Sequence, residues 1–307
     1  MQKTLSLRAR HLVAVPETVK EAADAETLDL DQNQLSELPD WIGDLKGLRS
    51  LSLYRNQLTA LPESVWRLTN LQRLNIAENR FSSLPGQLGE LAELEMLDLG
   101  HNQIDFLPES IGRLKSLAFL YLSNNRLSSI PESFGELSSL IYLNLTDNQF
   151  VTLPEGIGTL SQLIELRLYN NQLTALPDSL GSLRGLKELH VMNNHLSSLP
   201  SALGHLADLR KLIVTDNRLD QLPESLGALT NLTDLDLRNN ALRVLPASVG
   251  NLHNLRYLDL RANQLTELPD ALGTLRRLEK LDLRWNQLER VPSWLDQLEK
   301  GGCTVFQ

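Results

Sequence analysis

The amino-acid sequence predicts a solenoid of the α/β class, in which short strands stack into a parallel sheet and short helical turns cover the other side. Two observations predict this fold. The chain of 307 residues contains 13 prolines, and every gap between successive prolines is 23 residues. Between the prolines runs the pattern Leu-x-Leu, which is the period-two alternation of a half-buried strand. A single repeat cannot bury such a face alone, so the repeats are expected to stack into one continuous core.

The full repeat reads LxxLxLxxNxLxxLPxxIGxLxx, and residues 117–139 are one clean copy of it. This pattern resembles the leucine-rich repeat family over residues 4–300. The form with Leu-Pro and Ile-Gly is most similar to the intracellular Ras-group and Scribble/Erbin-type repeats and to bacterial cytoplasmic arrays. The resemblance implies a curved horseshoe with a parallel β-sheet on the concave face, and with short 3₁₀ or single-turn helices and loops on the convex face.

The spacing also predicts the domain organisation. Thirteen repeats of 23 residues account for nearly the whole chain, so we expect a single domain over residues 1–307. Residues 1–25 are more polar than the middle of the chain and are expected to form an N-terminal capping repeat. Residues 301–307 leave the repeat pattern and are expected to form a C-terminal cap. Within this cap, Thr304, Val305 and Phe306 are expected to pair as a last strand.

Each repeat has its own strand, its own asparagine and its own turn. The inward strand positions run from Leu5 and Leu7 to Leu281 and Leu283, and each leucine should pack on its equivalent about 4.8 Å away. The asparagine that closes each strand should bond to backbone of neighbouring repeats. The asparagines are Asn33, Asn56, Asn79, Asn102, Asn125, Asn148, Asn171, Asn194, Asn217, Asn240, Asn263 and Asn286.

Proline and glycine mark the turn onto the convex side. Proline fixes φ and lacks a donor, which suits a turn or the first position of a short helix. In ten of the 13 repeats a glycine follows four residues after the proline, and the exceptions are Lys20, Trp66 and Asp296. Both residue types are interpreted as backbone features rather than as functional residues.

The concave face, defined as the outward-pointing positions of the strands, is where the repeats differ. Large side chains concentrate there in the middle of the chain, and their types are those enriched at the centres of interfaces. We predict a partner-binding surface of nine residues: Met96, Phe119, Tyr121, Tyr142, Arg167, Tyr169, His190, Met192 and Ile213. Two alternatives remain open, namely that these side chains only cover the sheet or that they bind a small ligand.

A second pattern on the concave face is the sequence Leu-Asp-Leu-Arg, which occurs in three successive repeats near the C-terminus. It should place Asp236, Asp259 and Asp282 in one column and three arginines in the next. Mutual neutralisation of the two columns is the preferred interpretation, with a docking rim or a metal site as alternatives. Trp285, beside these columns, is a candidate anchor.

The sequence predicts no catalytic residue, no metal site and no cofactor. The phosphate-binding pattern G-x-x-x-x-G-K-[ST], the zinc pattern H-E-x-x-H and paired CxxC are all missing. Glu165, Glu188 and His190 should lie close together on the concave face, where Arg167 and Lys211 would keep both carboxylates ionised. An open sheet does not exclude water, so we expect a protein that is not an enzyme.

The amino-acid composition limits which partners and which cellular compartment are expected for this protein. The net charge of −9 opposes binding to phosphate backbones, so nucleic acid is not an expected partner. No apolar run approaches the length of a membrane span, so no membrane insertion is expected. The chain has one cysteine, Cys303, and its start lacks the apolar stretch of a secretory signal. These observations favour a cytoplasmic location.

The function that the sequence predicts is a protein–protein interaction scaffold that presents a rigid concave sheet to a folded protein or a peptide. The family resemblance implies a role in intracellular signalling, with a small GTPase or a phosphatase or kinase complex as partner. A bacterial host-directed effector is an alternative, and an enzyme with a concave-face site is a weaker one. The regular spacing also allows a consensus design, although the irregular concave residues favour a natural chain.

Overall fold

Each repeat begins with a strand of three residues in the computed structural model, which describes residues 3–307. The strands, β1 to β14 in chain order, are Thr4–Ser6, Thr27–Asp29, Ser50–Ser52, Arg73–Asn75, Met96–Asp98, Phe119–Tyr121, Tyr142–Asn144, Glu165–Arg167, Glu188–His190, Lys211–Ile213, Asp234–Asp236, Tyr257–Asp259, Lys280–Asp282 and Thr304–Phe306.

Two compact units contain these strands. The first unit ends at Gln149 and holds β1 to β7, and the second runs from Phe150 to Gln307 and holds β8 to β14. Within each unit successive strands pair in parallel, so that Leu97 lies opposite Leu120 in the first and Leu212 opposite Leu235 in the second. This confirms the predicted α/β solenoid of parallel strands. The single domain and its two caps stay predictions, and their residues 1 and 2 lie outside the described part of the chain.

The leucines of the strands form the core, as the Leu-x-Leu pattern predicts. From Leu28 to Leu281 the central leucine of every strand is buried, most of them completely. Complete burial of a leucine side chain stabilises the fold by about 1.5–3 kcal/mol. Leu5 and Leu7 in the first repeat are only half-buried, because β1 has a neighbouring strand on one side, β2.

The asparagines form the backbone-bonding ladder that the sequence predicts. Asn125 is typical: its Nδ2 donates to the carbonyl oxygens of Leu122 at 3.1 Å and of Leu99, in the preceding repeat, at 3.0 Å. Its Oδ1 accepts from the backbone N–H of Ile104 at 3.0 Å. One buried amide therefore ties its own repeat to the preceding one. In the first repeat the backbone N–H of Arg10 donates instead to Asn33 of the next repeat.

A five-residue 3₁₀ helix follows the proline in twelve repeats, as predicted for the convex side. These helices are Glu17–Glu21, Asp40–Asp44, Glu63–Arg67, Gly86–Glu90, Glu109–Arg113, Glu132–Glu136, Glu155–Thr159, Asp178–Ser182, Ser201–His205, Glu224–Ala228, Ala247–Asn251 and Asp270–Thr274. The glycine in the helix has a steric cause. A Cβ atom on Gly112 would clash with the carbonyl oxygen of Ser133 in the next repeat.

The C-terminal end differs from the prediction in one respect. The last repeat contains an α-helix, α1, over Trp294–Lys300, where a 3₁₀ segment or a single turn is expected from the other repeats. Asp296 stands there at the glycine position, and the segment is rich in good helix formers, so seven residues continue as a helix. The helix buries Leu295 and Leu298. Val305 then pairs with Leu281, which confirms the predicted last strand, β14. Across residues 3–307 no helix combines the length and the apolar character needed to cross a membrane.

Candidate functional site

The strands of the first unit bring four of the predicted residues together on the concave face. Met96, Phe119 and Tyr142 occupy equivalent positions of β5, β6 and β7, and the register places each directly opposite the next. Tyr121 lies in the adjacent column, and its ring centroid is 5.0 Å from that of Tyr142, with the ring planes tilted by 39°. Phe119 keeps 41% of its surface exposed. We call Phe119, Tyr121 and Tyr142 the aromatic cluster.

The second unit contains the other five predicted residues. Arg167, His190 and Ile213 occupy equivalent positions of β8, β9 and β10, so they form one column of neighbours. Tyr169 and Met192 follow two residues after Arg167 and His190, and each is half-buried after a fully buried residue, Leu168 or Val191. The alternation of buried and half-buried residues places all five on the concave face. Their role in binding stays a prediction.

Next to this column lies a group of charged side chains that the sequence predicts to be close. Potential ligand atoms of Glu165, Glu188 and His190 all lie within 4.8 Å of one another. Arg167 Nε donates to Glu165 Oε1 at 2.6 Å, and His190 Nε2 donates to Glu188 Oε2 at 3.0 Å. Lys211 Nζ approaches the same oxygen of Glu188 at 3.4 Å.

The environment of Glu188 favours its charged form. Burial raises the pKa of this carboxyl group, but the hydrogen bond from His190 and the nearby Lys211 ammonium outweigh the burial. The net result is a pKa below the usual value for glutamate. The lowered pKa favours the ionised form of Glu188.

The aspartate and arginine columns near the C-terminus neutralise each other. Arg261 binds Asp259 with both its Nε, at 2.9 Å from Oδ1, and its Nη2, at 2.6 Å from Oδ2. Arg238 lies less closely on Asp236, with Nη2 3.6 Å from Oδ2. Each arginine thus forms an ion pair with the aspartate two residues before it. This geometry supports the charge-ladder interpretation of the sequence over a metal site at these aspartates.

At the C-terminal end of the aspartate and arginine columns, an arginine lies close to two aromatic rings, a contact that the sequence does not predict. Asp282 is completely buried and accepts from Arg284, with Nε at 2.9 Å and Nη2 at 2.7 Å. The guanidinium of Arg284 also lies 5.6 Å from the ring centroid of Trp285 and 4.9 Å from that of Phe306. The alternation Thr-Val-Phe of β14 is the signal that could have placed Phe306 on the concave face. Trp285 remains 71% exposed.

Tyr257, an exposed concave residue of the second unit, is held by charged neighbours. Its hydroxyl donates to Glu279 Oε2 at 2.9 Å, and Arg256 Nε donates to Glu279 Oε1 at 2.7 Å. The hydrogen bond to Glu279 raises the pKa of the Tyr257 phenol. The ring therefore has less freedom than its exposure alone suggests.

The stacked repeats, the parallel sheet and the asparagine ladder together define a solenoid repeat protein. The chain belongs to the leucine-rich repeat family. The family description "leucine-rich repeat region" matches residues 19–102 and 86–199, and "leucine rich repeat" matches residues 207–265 and 230–288. Proteins of this family are generally binding scaffolds without enzymatic activity, and the fold is typical of protein–protein interaction domains. The finer resemblance to Ras-group and Scribble/Erbin-type repeats stays a prediction.

Solved structures support the family assignment. A leucine-rich repeat protein of Leptospira interrogans is 29% identical over 99% of this chain and 95% of that chain, with a TM-score of 0.65. An internalin of Listeria monocytogenes shares the fold, with 23% identity over 99% of this chain and 86% of that chain and a TM-score of 0.84. The search of curated proteins gave no match.

Several similar structures were solved with a bound partner, and the following is an example. It is the leucine-rich repeat ectodomain of the Arabidopsis thaliana membrane receptor kinase GASSHO1/SCHENGEN3, in complex with Casparian strip integrity factor 2. The identity is 33% over 99% of this chain but only 40% of that chain, and the TM-score is 0.75. The present chain thus corresponds to less than half of that ectodomain.

Proposed function

We propose that this protein is a non-enzymatic scaffold that binds a folded protein or a peptide on its concave face. The observation that carries the proposal is the aromatic cluster of the first unit. Its rings occupy outward strand positions, where they contribute nothing to the leucine core. A surface that meets only water has no need of three large rings, whereas rings with few rotatable bonds give contact area at low entropic cost.

The contacts within the cluster make it suitable for binding. Tyr121 and Tyr142 hold each other at 5.0 Å, so less side-chain freedom remains to be lost on association. Phe119 adds an exposed apolar ring beside Tyr142, and Met96 lies on its other side with an adaptable thioether. The core of an interface combines such apolar area with hydroxyl groups that can bond to a partner.

The family adds support of a general kind. The Arabidopsis neighbour is a receptor ectodomain bound to another molecule, and protein binding is the typical use of this fold. The sequence resemblance suggests a small GTPase or a phosphatase or kinase complex as the partners to examine first, within intracellular signalling. A cytoplasmic location is part of the proposal, on the ground that the one cysteine permits no intramolecular disulfide.

The test is the double variant Tyr121→Ala plus Tyr142→Ala. Partners are captured with the wild-type protein, identified, purified and then titrated against each variant. Truncation of central interface rings commonly costs about 2 kcal/mol or more, which corresponds to about thirtyfold in affinity. We expect a loss of that size, with an unchanged circular dichroism spectrum because the leucine core is intact.

The matched control is Phe106→Ala. Phe106 is also a large exposed ring, with 55% of its surface accessible, but it lies outside the strands. It should bind the partner with wild-type affinity. If the double variant also binds with wild-type affinity, the proposed concave site is wrong and the binding surface lies elsewhere.

A further inference from the structure

We propose that Glu165, Glu188 and His190 form a binding site for a divalent transition-metal ion of the Zn²⁺ type on β8 and β9. The proposal is independent of protein binding by the aromatic cluster. Among residues 3–307, these three are the one group of His, Cys, Asp or Glu side chains whose ligand atoms approach within 4.8 Å. Two carboxylates and one imidazole give the ligand number of an open zinc site, which keeps a position for water.

The strand register builds this site. Glu165 and Glu188 lie directly opposite each other on β8 and β9, and His190 is the next outward residue of β9 after Glu188. All three are half-buried, so they are held in place by neighbours and still open to the concave side. Ligand atoms around a tetrahedral Zn²⁺ ion are separated by about 3.4 Å. The observed atoms need to approach by only about 1–1.5 Å, which rotation of a glutamate side chain provides.

The charges of the group also fit a divalent cation. Two carboxylates side by side on adjacent strands repel each other when both are charged, and a bound ion of charge +2 would neutralise both. The present counter-ions are Arg167 and Lys211, each more than a third exposed. Their carboxylate partners Glu165 and Glu188 keep 22% and 35% of their side chains exposed, so the carboxylates remain open to solvent and a metal ion can reach them. The contact of Lys211 with Glu188 is the longer one, at 3.4 Å, and is the first expected to open.

The donor atoms select the class of metal. Imidazole nitrogen favours Zn²⁺, Cu²⁺, Ni²⁺ and Fe²⁺ over Ca²⁺ and Mg²⁺, which prefer sites made of oxygen alone. The aspartate column near the C-terminus offers only oxygen atoms. There Asp259 and Asp282 already accept bidentate bonds from Arg261 and Arg284, which leaves fewer lone pairs for an ion.

Calorimetric titration of the chelator-treated full-length chain with ZnCl₂ tests the site. We expect saturable binding of about one ion per chain by the wild type. His190→Ala and Glu188→Gln should each weaken the affinity at least about tenfold, since even residues one step removed from a metal typically have that effect. Substitution with Co²⁺ gives a second readout, because its visible absorption reports four-coordination, and this absorption should be lost in His190→Ala.

The matched control is His205→Ala, which removes an exposed histidine outside the group and should leave Zn²⁺ affinity within about twofold of wild type. Circular dichroism and melting of the metal-free variants verify that they are folded. Three results would overturn the proposal: no saturable Zn²⁺ binding, equal binding by His190→Ala and the wild type, or binding of Ca²⁺ as tight as that of Zn²⁺.

Discussion

Replacement of Asn125 by alanine tests the asparagine ladder most directly. The change removes the acceptor of the Ile104 backbone N–H, which lies in the completely buried part of the preceding repeat. A buried N–H without a partner costs about 1–3 kcal/mol. This loss should form the larger part of the total effect.

The two carbonyl oxygens that accept from Asn125 lose less hydrogen bonding, because each also accepts from a second donor. The Leu99 oxygen keeps a bond from Asn102 at 3.1 Å, and the Leu122 oxygen keeps one from Asn148 at 2.9 Å. Their weakened bonding adds about 0.5–1.5 kcal/mol. We therefore expect Asn125→Ala to lower the free energy of unfolding by about 1.5–4.5 kcal/mol.

Urea denaturation gives the change in stability, and hydrogen exchange with mass spectrometry locates it. Repeats interact only with their neighbours, so protection should fall most in peptides around β5 to β7. The control is Asn231→Ala, because Asn231 is exposed and makes one bond, to the Ala207 oxygen at 2.9 Å. A midpoint shift of Asn125→Ala no larger than that of the control, with unchanged exchange around β6, would refute the reasoning.

Three further predictions concern packing and charge. Gly112→Ala should destabilise the chain by about 1–3 kcal/mol in thermal melts, since its Cβ would meet the Ser133 backbone, whereas Gly86→Ala, with open space around it, should not. Asp259→Asn should cost less than about 1 kcal/mol in urea denaturation, because the asparagine amide oxygen can still accept from Arg261, and Arg261 keeps its ion pair with Asp282 at 3.3 Å.

Asp282→Asn should lower the free energy of unfolding more than Asp259→Asn does, because Asp282 is completely buried. Burial raises the pKa of the Asp282 carboxyl group, but the hydrogen bonds from Arg284 outweigh the burial and hold this pKa below its usual value. The excess stability of wild type over Asp282→Asn should be complete above the unfolded-state pKa of about 3.9 and disappear as the pH falls through the lower folded-state pKa. A difference that persists below both values would contradict this assignment.

The features that repeat could be read from the sequence, because one physical cause acts at every repeat. Leucine burial, the asparagine bonds and the 3₁₀ helices all follow from positions 23 residues apart. The α-helix at Trp294–Lys300 could not be read in the same way, since its length depends on a local sequence that no other repeat shares. Trp66 is a similar case: it replaces the helix glycine, is fully buried, and lines a cavity of about 350 Å³ between two repeats.

The sequence predicts on which face and in which column of the sheet each candidate residue lies, but it does not predict which side chains touch each other. Strand alternation assigned Phe119, Tyr121 and Tyr142 to the concave face. The diagonal contact of Tyr121 with Tyr142, rather than with a residue directly opposite, depends on side-chain rotamers, which the repeat pattern does not specify. The same holds for Arg284. Its position between Trp285 and Phe306 depends on the path of the C-terminal segment, which the repeat pattern does not specify.

The offsets of the asparagine bonds have an evolutionary consequence. Asn125 reaches Leu99, 26 residues before it, and Ile104, 21 residues before it, and the same two offsets occur at Asn148. Deletion or duplication of one whole repeat re-creates every such bond at the new junction, whereas a change of one residue more or less breaks them. Unequal recombination can therefore lengthen or shorten the array in steps of a repeat, and each step reorders the residues that face a partner without rebuilding the fold.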